Sequence, residues 1–314
     1  MDFVFLMDPL ASIAIYKDTS FAFMLGAARR GHNIFYVPAS GIHLTDAGVS
    51  FTATPVTPKG DVDEPFVCES PGRIDGANVD AVFVRTDPPF DDQYLMNTWL
   101  LDQLPAHVFV FNSPRGLQTV NEKVWTVRFR ELIPPTLVSS DIERFKEFLD
   151  THGKIVVKPT NSFGGAGVFI IEAGDSNAPV IFETLSNDGR PIIAQRYVPE
   201  SVNGDKRILL LDGESLGAVL RVHSEGEHRN NFFAGGNPVA TEITDRDHDI
   251  IAALKPQLRA LGLAFVGIDV IGDYLIEVNV TSPTCLQEMN ELYDVQLEDA
   301  VIDFVEKQVR QRRE

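Results

Sequence analysis

The chain has 314 residues, of which 44% are hydrophobic and 23% are charged, as in ordinary globular proteins. A formal net charge of −18 repels a phosphate backbone, which excludes nucleic acid as a partner. The two cysteines have neither zinc-site nor disulfide-framework spacing, and no apolar run approaches the roughly 18 residues that span a bilayer. We therefore expect a cytoplasmic protein without a membrane partner.

Strand and helix patterns alternate at the start of the chain, which predicts an N-terminal α/β lobe over residues 1–120. Its first element reads as a buried strand and not as a signal peptide. Ser20 is the predicted N-cap of the first helix, and Gly31 is its stop. The turn-rich segment 41–77 gives no clear element. The predicted strands are Phe3–Met7, Asn33–Val37, Ala81–Arg85 and Val108–Phe111, and the predicted helices are Ser20–Arg30 and Asp91–Leu101.

After Val120 the pattern changes, and two further lobes are predicted. The first is a small central α+β lobe over residues 121–200. Its predicted helices are Lys123–Glu131 and Asp141–Leu149, and its predicted strands are Lys154–Val157, Val168–Glu172 and Ile192–Val198. The second is a C-terminal lobe with a mixed sheet over residues 201–314. Its predicted strands are Arg207–Leu211, Ser215–Arg221, Phe265–Ile271 and Tyr274–Val280, and its predicted helices are Asp245–Leu261 and one that ends in Gln-Arg-Arg. The predicted fold class is therefore α/β and α+β.

A glycine-rich loop over residues 159–167 follows a strand that ends at Lys158. Glycines let consecutive backbone N–H groups turn towards a phosphate, and a nearby ammonium adds positive charge. The loop is not a P-loop, because no Gly-Lys-Ser/Thr opens a helix after it. A nicotinamide cofactor also loses its usual support, because no Gly-x-Gly-x-x-Gly follows the first strand. On the residues alone, the loop is either a tight β-turn or a phosphate-binding loop.

Three oxygen-bearing side chains interrupt the last two apolar strands, at Asp269, Glu277 and Asn279. Glu277 and Asn279 point to one face because side chains alternate along a strand. Asp269 can face Glu277 only across a connection with an odd number of residues. We therefore predict a three- or five-residue connection and not a two-residue Gly272-Asp273 turn. An incomplete set of oxygen ligands suits Mg²⁺ that also binds phosphate and water, and the alternative is a solvated hairpin edge.

Basic residues stand in several short motifs, and against so acidic a chain they are the candidates for holding an anion. Lys123 follows Asn-Glu at a helix start, Arg207 enters a strand, and Arg221 ends one. Taken singly, each is compatible with a solvated surface charge. The polar stretch His223–Asn237 is either disordered or a lid over a site. Cys285 is predicted to be a small buried core residue and not a thiol partner of the site.

Four stretches carry a resemblance to a known family. They are Met7-Asp-Pro with Lys17-Asp-Thr-Ser20-Phe, Arg85-Thr-Asp-Pro-Pro-Phe-Asp91, Asn121-Glu-Lys123, and Phe265-Val-Gly-Ile-Asp269 through Glu277-Val-Asn-Val-Thr-Ser-Pro-Thr284. Along nearly its whole length the chain resembles the bacterial-type glutathione synthetases of the ATP-grasp superfamily. The resemblance implies an ATP-grasp fold and the ATP-dependent ligation of γ-glutamylcysteine and glycine. The reaction would pass through an acyl phosphate and give glutathione, ADP and phosphate.

The resemblance also implies a role for each matching residue, with ATP and Mg²⁺ (or Mn²⁺) as cofactors and a homo-oligomer as the assembly. ATP would be bound by Lys123, Lys158, Gly164, Gly165, Gly167, Gln195, Arg196, Tyr197 and Val198. Metal ions would be bound by Asp269, Glu277 and Asn279. The substrates would be bound by Ser20, Arg85, Asp205, Arg221, Ser282 and Thr284. Arg207, Arg221 and Arg229 would be catalytic, and residues 223–236 would form the lid.

Two other functions are compatible with parts of the sequence. One is another ATP-grasp ligase that joins D-alanine or adds glutamate to a peptide, and the other is a non-catalytic nucleotide-binding protein. The Arg85 motif and the Met7-Asp-Pro start resemble the glutathione enzymes and not those ligases. Lys158 and the metal-ligand candidates are present, which favours an enzyme. The lid stretch Asn230–Phe233 is bulkier than the small-residue version in the family, which bears on lid closure and glycine access.

Overall fold

The strands of the computed structural model form three sheets, and the structure describes residues 1–61, 63–222 and 237–314. The first sheet contains β1 (Asp2–Leu6), β2 (Asn33–Val37), β3 (Ile42–Thr45), β4 (Gly48–Pro58), β5 (Phe66–Cys68), β6 (Gly72–Asp75), β7 (Ala81–Val84) and β8 (Phe109–Phe111). The second contains β9 (Thr136–Ser139), β10 (Lys154–Pro159), β11 (Phe169–Glu172) and β12 (Ile192–Arg196). The third contains β13 (Asp205–Leu211), β14 (Glu214–Val222), β15 (Asn237–Ala240), β16 (Phe265–Ile271) and β17 (Tyr274–Asn279).

Helices flank these sheets and connect their strands. They are α1 (Thr19–Arg29), α2 (Asp92–Leu101), α3 (Pro114–Thr119), α4 (Ile142–His152), α5 (Ala178–Leu185), α6 (Asp245–Ala260), α7 (Leu286–Tyr293) and α8 (Leu297–Arg313). No helix in the described ranges is long and apolar enough to cross a membrane. The mixed α/β architecture confirms the predicted fold class, while lobe boundaries near residues 120 and 200 stay a prediction.

The strand order explains how the three sheets are built. In the first sheet, β2, β1, β7 and β8 run parallel, as the alternating strand and helix patterns predict. The β3–β4 pair and its neighbours extend this sheet in antiparallel fashion through the segment that gave no clear prediction. The second and third sheets are antiparallel, in the orders β11-β10-β12-β9 and β15-β14-β13-β16-β17.

Some predicted helix ends need correction. Asp18, and not Ser20, is the N-cap of α1, because its carboxylate accepts a hydrogen bond of 2.7 Å from the backbone N–H of Phe21. The predicted helix Lys123–Glu131 is a shorter 3₁₀ helix over Val124–Phe129. The predicted C-terminal helix does end in Gln-Arg-Arg as α8, and the sequence prediction missed α7 before it.

The first and third sheets share their hydrophobic cores, whereas the second sheet has a core of its own. One shared core joins Val4 and Leu6 of β1 to Ile268 of β16, and the other joins the alternate residue Phe5 to Phe265. The core of the second sheet is built by residues of its own strands with α4 and α5, such as Phe145, Phe182, Ile155 and Ala194. The packing therefore divides the described chain into two hydrophobic units.

Asn112 connects the first sheet to the third. Its side-chain amide donates to the carbonyl oxygens of Phe265 (2.7 Å) and Val280 (2.9 Å) and accepts from the N–H of Phe265 (2.8 Å). The side chain is buried, so its removal leaves three backbone groups without their partner in a dry environment.

We expect Asn112→Ala to lower the free energy of unfolding by about 3 kcal/mol, because unsatisfied buried polar groups are costly. Urea denaturation followed by circular dichroism measures the change. Asn177→Ala is the control, because Asn177 is exposed and its side chain does not cap the helix that follows. A loss below about 1 kcal/mol for Asn112→Ala would show that water replaces the lost hydrogen bonds.

Candidate active site

A cavity of about 270 Å³ lies where the three sheets meet. Residues from the loop after β7, from β10 and β12, and from the third sheet form its walls. The sequence-predicted residues that line it are Lys123, Lys158, Gly164, Gly165, Gln195, Arg196, Tyr197, Val198, Asp205, Arg207, Arg221, Asp269, Glu277, Asn279, Ser282 and Thr284. The fold thus brings together residues up to about 160 positions apart in the sequence.

Of the predicted site residues that the structure describes, three do not line this cavity. Arg85 is buried, and its guanidinium donates to the Ser20 hydroxyl (2.9 Å) and to the carbonyl oxygen of Pro283 (3.0 Å). Arg85 and Ser20 therefore support the loop between Ser282 and Thr284 from behind. Gly167 has a φ of +72°, and a Cβ there would lie 2.9 Å from Pro159, so its role is to let the loop turn.

The predicted lid and its arginine cannot be placed relative to the cavity. Arg229 and the lid residues 223–236 lie outside the described residues. Their predicted roles stay predictions.

The hairpin between β16 and β17 places Asp269 opposite Glu277, as predicted, but by a different route. The connection is the two-residue Gly272-Asp273 turn, so the predicted three- or five-residue connection is wrong. The register shifts between Asp269 and Val270, which leaves Ile276 as an extra residue on β17. The turn contains an even number of residues, and this β-bulge adds one more residue between Asp269 and Glu277. Glu277 therefore faces Asp269 in spite of the two-residue turn.

Two arginines and two aspartates form a buried cluster at one end of the cavity. Arg207 donates to both oxygens of Asp269, at 2.5 and 2.8 Å. Arg221 lies 3.0 Å from Asp269 and also pairs with Asp205. Burial alone raises the pKa of Asp269, but the two guanidinium groups outweigh it and hold that pKa well below its usual range. Asp269 therefore stays ionised at any physiological pH.

Two lysines lie at the junction of the second and third sheets. The Lys123 ammonium donates to Glu277 (2.8 Å) and to the carbonyl oxygen of Ser162 (2.5 Å) in the glycine-rich loop. Lys158 is buried, and its nearest hydrogen-bond partner is the Gln195 side-chain oxygen at 3.5 Å. The pKa of Lys158 is lowered to about 8, chiefly because burial disfavours the charged form; Glu277 opposes this shift and the charge of Lys123 adds to it. The site thus holds a poorly compensated ammonium that an anion would stabilise.

Comparisons with known proteins now identify the family. The model of the prokaryotic glutathione synthetase N-terminal domain matches residues 1–118, and that of the prokaryotic glutathione synthetase ATP-grasp domain matches residues 122–294. The glutathione synthetase of Vibrio cholerae is 42% identical over 308 residues, which cover 97% of this chain and 96% of that protein. That of Pseudomonas aeruginosa is 40% identical over 309 residues, which cover 98% of each. The chain belongs to the prokaryotic glutathione synthetase family.

Solved structures of more distant proteins share the fold of the family. The D-cycloserine synthetase DcsG matches with a TM-score of 0.69 at 15% identity, over 96% of this chain and 99% of that one. The ATP-grasp ligase PsnB, complexed with minimal precursor, matches with a TM-score of 0.64 at 18% identity, over 97% and 98%. At these identities the likeness shows the fold alone, and it confirms the predicted ATP-grasp fold.

Membership in the family implies the use of ATP and a divalent metal. The described residues contain no group of three His, Cys, Asp or Glu side chains that could hold a metal ion. Asp269 and Glu277 supply two carboxylates, and the Asn279 amide lies beside them, 3.3 Å from Asp269. Mg²⁺ is commonly held by one or two carboxylates together with phosphate oxygens and water. This incomplete donor set therefore fits a metal that arrives with a nucleotide.

Sequence reasoning missed several residues of the cavity wall. Glu122 is one of them, and its Oε1 accepts hydrogen bonds from the N–H groups of Val280 (2.8 Å) and Thr281 (3.0 Å) and from the Thr281 hydroxyl (2.9 Å). It thereby fixes the segment that follows Asn279. The signal was its place beside Lys123 in the family motif. The apolar residues of the wall had no neighbouring motif that would have indicated them. They are Val156, Val168, Ile170, Ile271 and Ile276.

The lowered pKa of Lys158 predicts how nucleotide binding depends on pH. Without a ligand the ammonium loses its proton as the pH rises through about 8, and a bound phosphate favours the protonated form. We expect ATP binding at about pH 8 to take up roughly half a proton and the KM for ATP to rise above this pH. Calorimetry in two buffers of different ionisation enthalpy measures the uptake. Lys158→Arg is the control and should abolish it, whereas a KM that stays flat between about pH 7 and 9.5 would contradict the assignment.

Proposed function

We propose that the chain ligates γ-glutamylcysteine to glycine with cleavage of ATP to ADP and phosphate, and that glutathione is the product. One observation carries the proposal: in a member of this family, four cationic side chains and three metal-type oxygen ligands meet in one cavity. The cations are Lys123, Lys158, Arg207 and Arg221, and the ligands are Asp269, Glu277 and Asn279. Phosphoryl transfer relies on such positive charge around the transferred group.

The nucleotide is proposed to bind between the second and third sheets. Lys123 and Lys158 would hold its phosphates, with the backbone of Gly164 and Gly165 closing over them. The adenine would lie against the apolar wall beside four consecutive residues, Gln195, Arg196, Tyr197 and Val198. Asp269, Glu277 and Asn279 would hold Mg²⁺, which neutralises charge on the phosphates when bound.

The side chains of the chain would position and stabilise the reactants without forming a covalent bond to them. The cysteinyl carboxylate attacks the terminal phosphorus of ATP, ADP leaves, and the glycine amine then displaces phosphate from the acyl phosphate. Arg207 and Arg221 would stabilise the negative charge that develops, and Arg229 would join them from the proposed lid. Cys285 is buried, and burial raises the pKa of its thiol, in agreement with the predicted core role.

The test measures phosphate release from ATP and Mg²⁺ with γ-glutamylcysteine, with and without glycine, and identifies the product by mass. Release that needs both substrates and a product with the mass of glutathione would support the proposal. Release with another acyl donor or acceptor would move the chain to another ATP-grasp ligase activity. Cytoplasmic location, a homo-oligomeric assembly and the choice of Mg²⁺ over Mn²⁺ stay predictions.

A further inference from the structure

One carboxylate of the cavity wall has weaker partners within the chain than the others. Five carboxylates of the described residues line the cavity: Asp87, Glu122, Asp205, Asp269 and Glu277. Asp205 and Asp269 form ion pairs with buried arginines, and Glu277 forms one with Lys123. Glu122 accepts three hydrogen bonds from the segment after Asn279. Four of the five are therefore held by an ion pair or by several hydrogen bonds within the chain.

Asp87 differs from these four. In the ranges that the structure describes, its carboxylate is in no ion pair, but it accepts a hydrogen bond from the Ser282 hydroxyl and is attracted by the buried Arg85 guanidinium. It lies on the wall formed by the loop after β7, next to Pro88, whereas the lysines lie at the junction of the second and third sheets. Its own N–H donates to the Asp8 carboxylate at 2.8 Å, which fixes its backbone and places a second negative charge nearby. The Arg85 guanidinium offsets part of this negative charge, and Asp87 lines the cavity where a cation of the substrate can reach it.

The substrate of the proposed reaction brings one cation that needs a partner. γ-Glutamylcysteine carries two carboxylates and a single α-ammonium, which sits at the opposite end of the molecule from the reacting cysteinyl carboxylate. An ammonium that enters a cavity loses water and must be paired with a carboxylate or bind weakly. Of the five carboxylates, Asp87 can accept this ammonium without breaking an ion pair or a set of three hydrogen bonds.

We propose that Asp87 binds the α-ammonium of the γ-glutamyl group and so selects substrates that carry it. The inference rests on the proposed function and names a specificity-determining residue for it. Ser282 and Thr284 line the same cavity. The Thr284 hydroxyl would donate to the neighbouring α-carboxylate, and the Ser282 hydroxyl donates to Asp87 and holds it in place. Arg85 supports this subsite from behind through its hydrogen bond to the Pro283 carbonyl oxygen.

The experiment compares γ-glutamylcysteine with N-glutarylcysteine, which lacks only the α-amino group, at fixed ATP, Mg²⁺ and glycine. The wild-type enzyme should prefer the natural substrate by roughly 10- to 100-fold in kcat/KM, the range of a charge-assisted hydrogen bond. Asp87→Asn should lower kcat/KM for γ-glutamylcysteine by a similar factor and leave that for the analogue nearly unchanged. Asp87→Glu, which keeps the carboxylate, should keep most of the preference.

Glu122→Gln is the matched control, because it changes another carboxylate of the same cavity. It should lower activity with both substrates alike and leave their ratio unchanged. ADP binding and thermal unfolding verify that each variant is folded, and Asp87→Ser gives the same readout should the amide variant not fold.

Each remaining outcome has a distinct meaning. If the wild-type enzyme forms no glutathione, the proposed function is wrong. If it does, but Asp87→Asn keeps the full preference for the natural substrate, the assignment of Asp87 is overturned. A raised KM for glycine with the preference intact would also overturn it, because Asp87 would then serve the acceptor amine.

Discussion

Asp269→Asn is expected to lower kcat at least about a thousandfold, because the change removes a metal ligand and a charge from the phosphoryl-transfer end of the cavity. The metal-binding role of Asp269 is the one proposed above, and the change also removes a carboxylate that lies between two buried guanidinium groups. Arg207 and Arg221 would then face each other across a neutral amide, with Asp205 as the remaining negative charge. Breaking a buried ion pair on one side costs about 3–5 kcal/mol, so we expect the free energy of unfolding to fall by that amount.

Steady-state kinetics at saturating substrates and urea denaturation measure the two effects of Asp269→Asn separately. Asp249→Asn is the control, because it makes the same chemical change at an exposed position of α6. It should alter neither quantity. A kcat for Asp269→Asn within about tenfold of the wild type would contradict a role for this carboxylate in the reaction.

Lys158→Met is expected to lower kcat/KM for ATP about a thousandfold and yet to stabilise the folded protein. The ammonium of Lys158 is buried, and its pKa lies at about 8 instead of 10.5 because burial disfavours the charged form. Below pH 8 the folded protein carries the full cost of this charge, about 3 kcal/mol. Methionine has a similar length and no charge, so the variant avoids that cost.

The sign of the pH dependence provides a second check on Lys158→Met. Between about pH 8 and 10.5 the unfolded wild type binds more protons at this residue than the folded one, so wild-type stability rises with pH in this window. The advantage of the variant should therefore shrink as the pH rises through it. Lys154→Met, on the same strand but partly exposed and paired with Glu172, should show no gain. A variant that is less stable than the wild type at pH 7 would contradict this account.

The sequence predicted the parts of the site that follow from periodicity and from family motifs. Alternation along a strand placed Glu277 and Asn279 on one face, and both line the cavity with Asp269. The connection was wrong because a β-bulge at Ile276 changes the register, and a single extra apolar residue leaves no mark in the sequence. The prediction of which side chains share a face was correct where residues alternate regularly along a strand. The prediction of the connection failed because one inserted residue changes the register of the two strands.

A motif also does not separate the residues that touch a ligand from those that support them. Arg85 belongs to a specific motif, but the structure places its guanidinium behind the Pro283 loop. Asp87, two residues later in the same motif, lines the cavity, but the sequence analysis assigned it no role of its own. Burial and hydrogen-bond partners decide between the two roles, and both depend on distant segments of the chain.

The separate core of the second sheet has a consequence for the behaviour of the whole molecule. Since this sheet packs with α4 and α5 and the other two sheets share their interior, we expect the chain to open as two separate units. The cavity lies at the boundary between these two units. A nucleotide bound there would contact both units, so that neither could open without the other. Nucleotide binding would then control how the molecule opens, in addition to its part in the reaction.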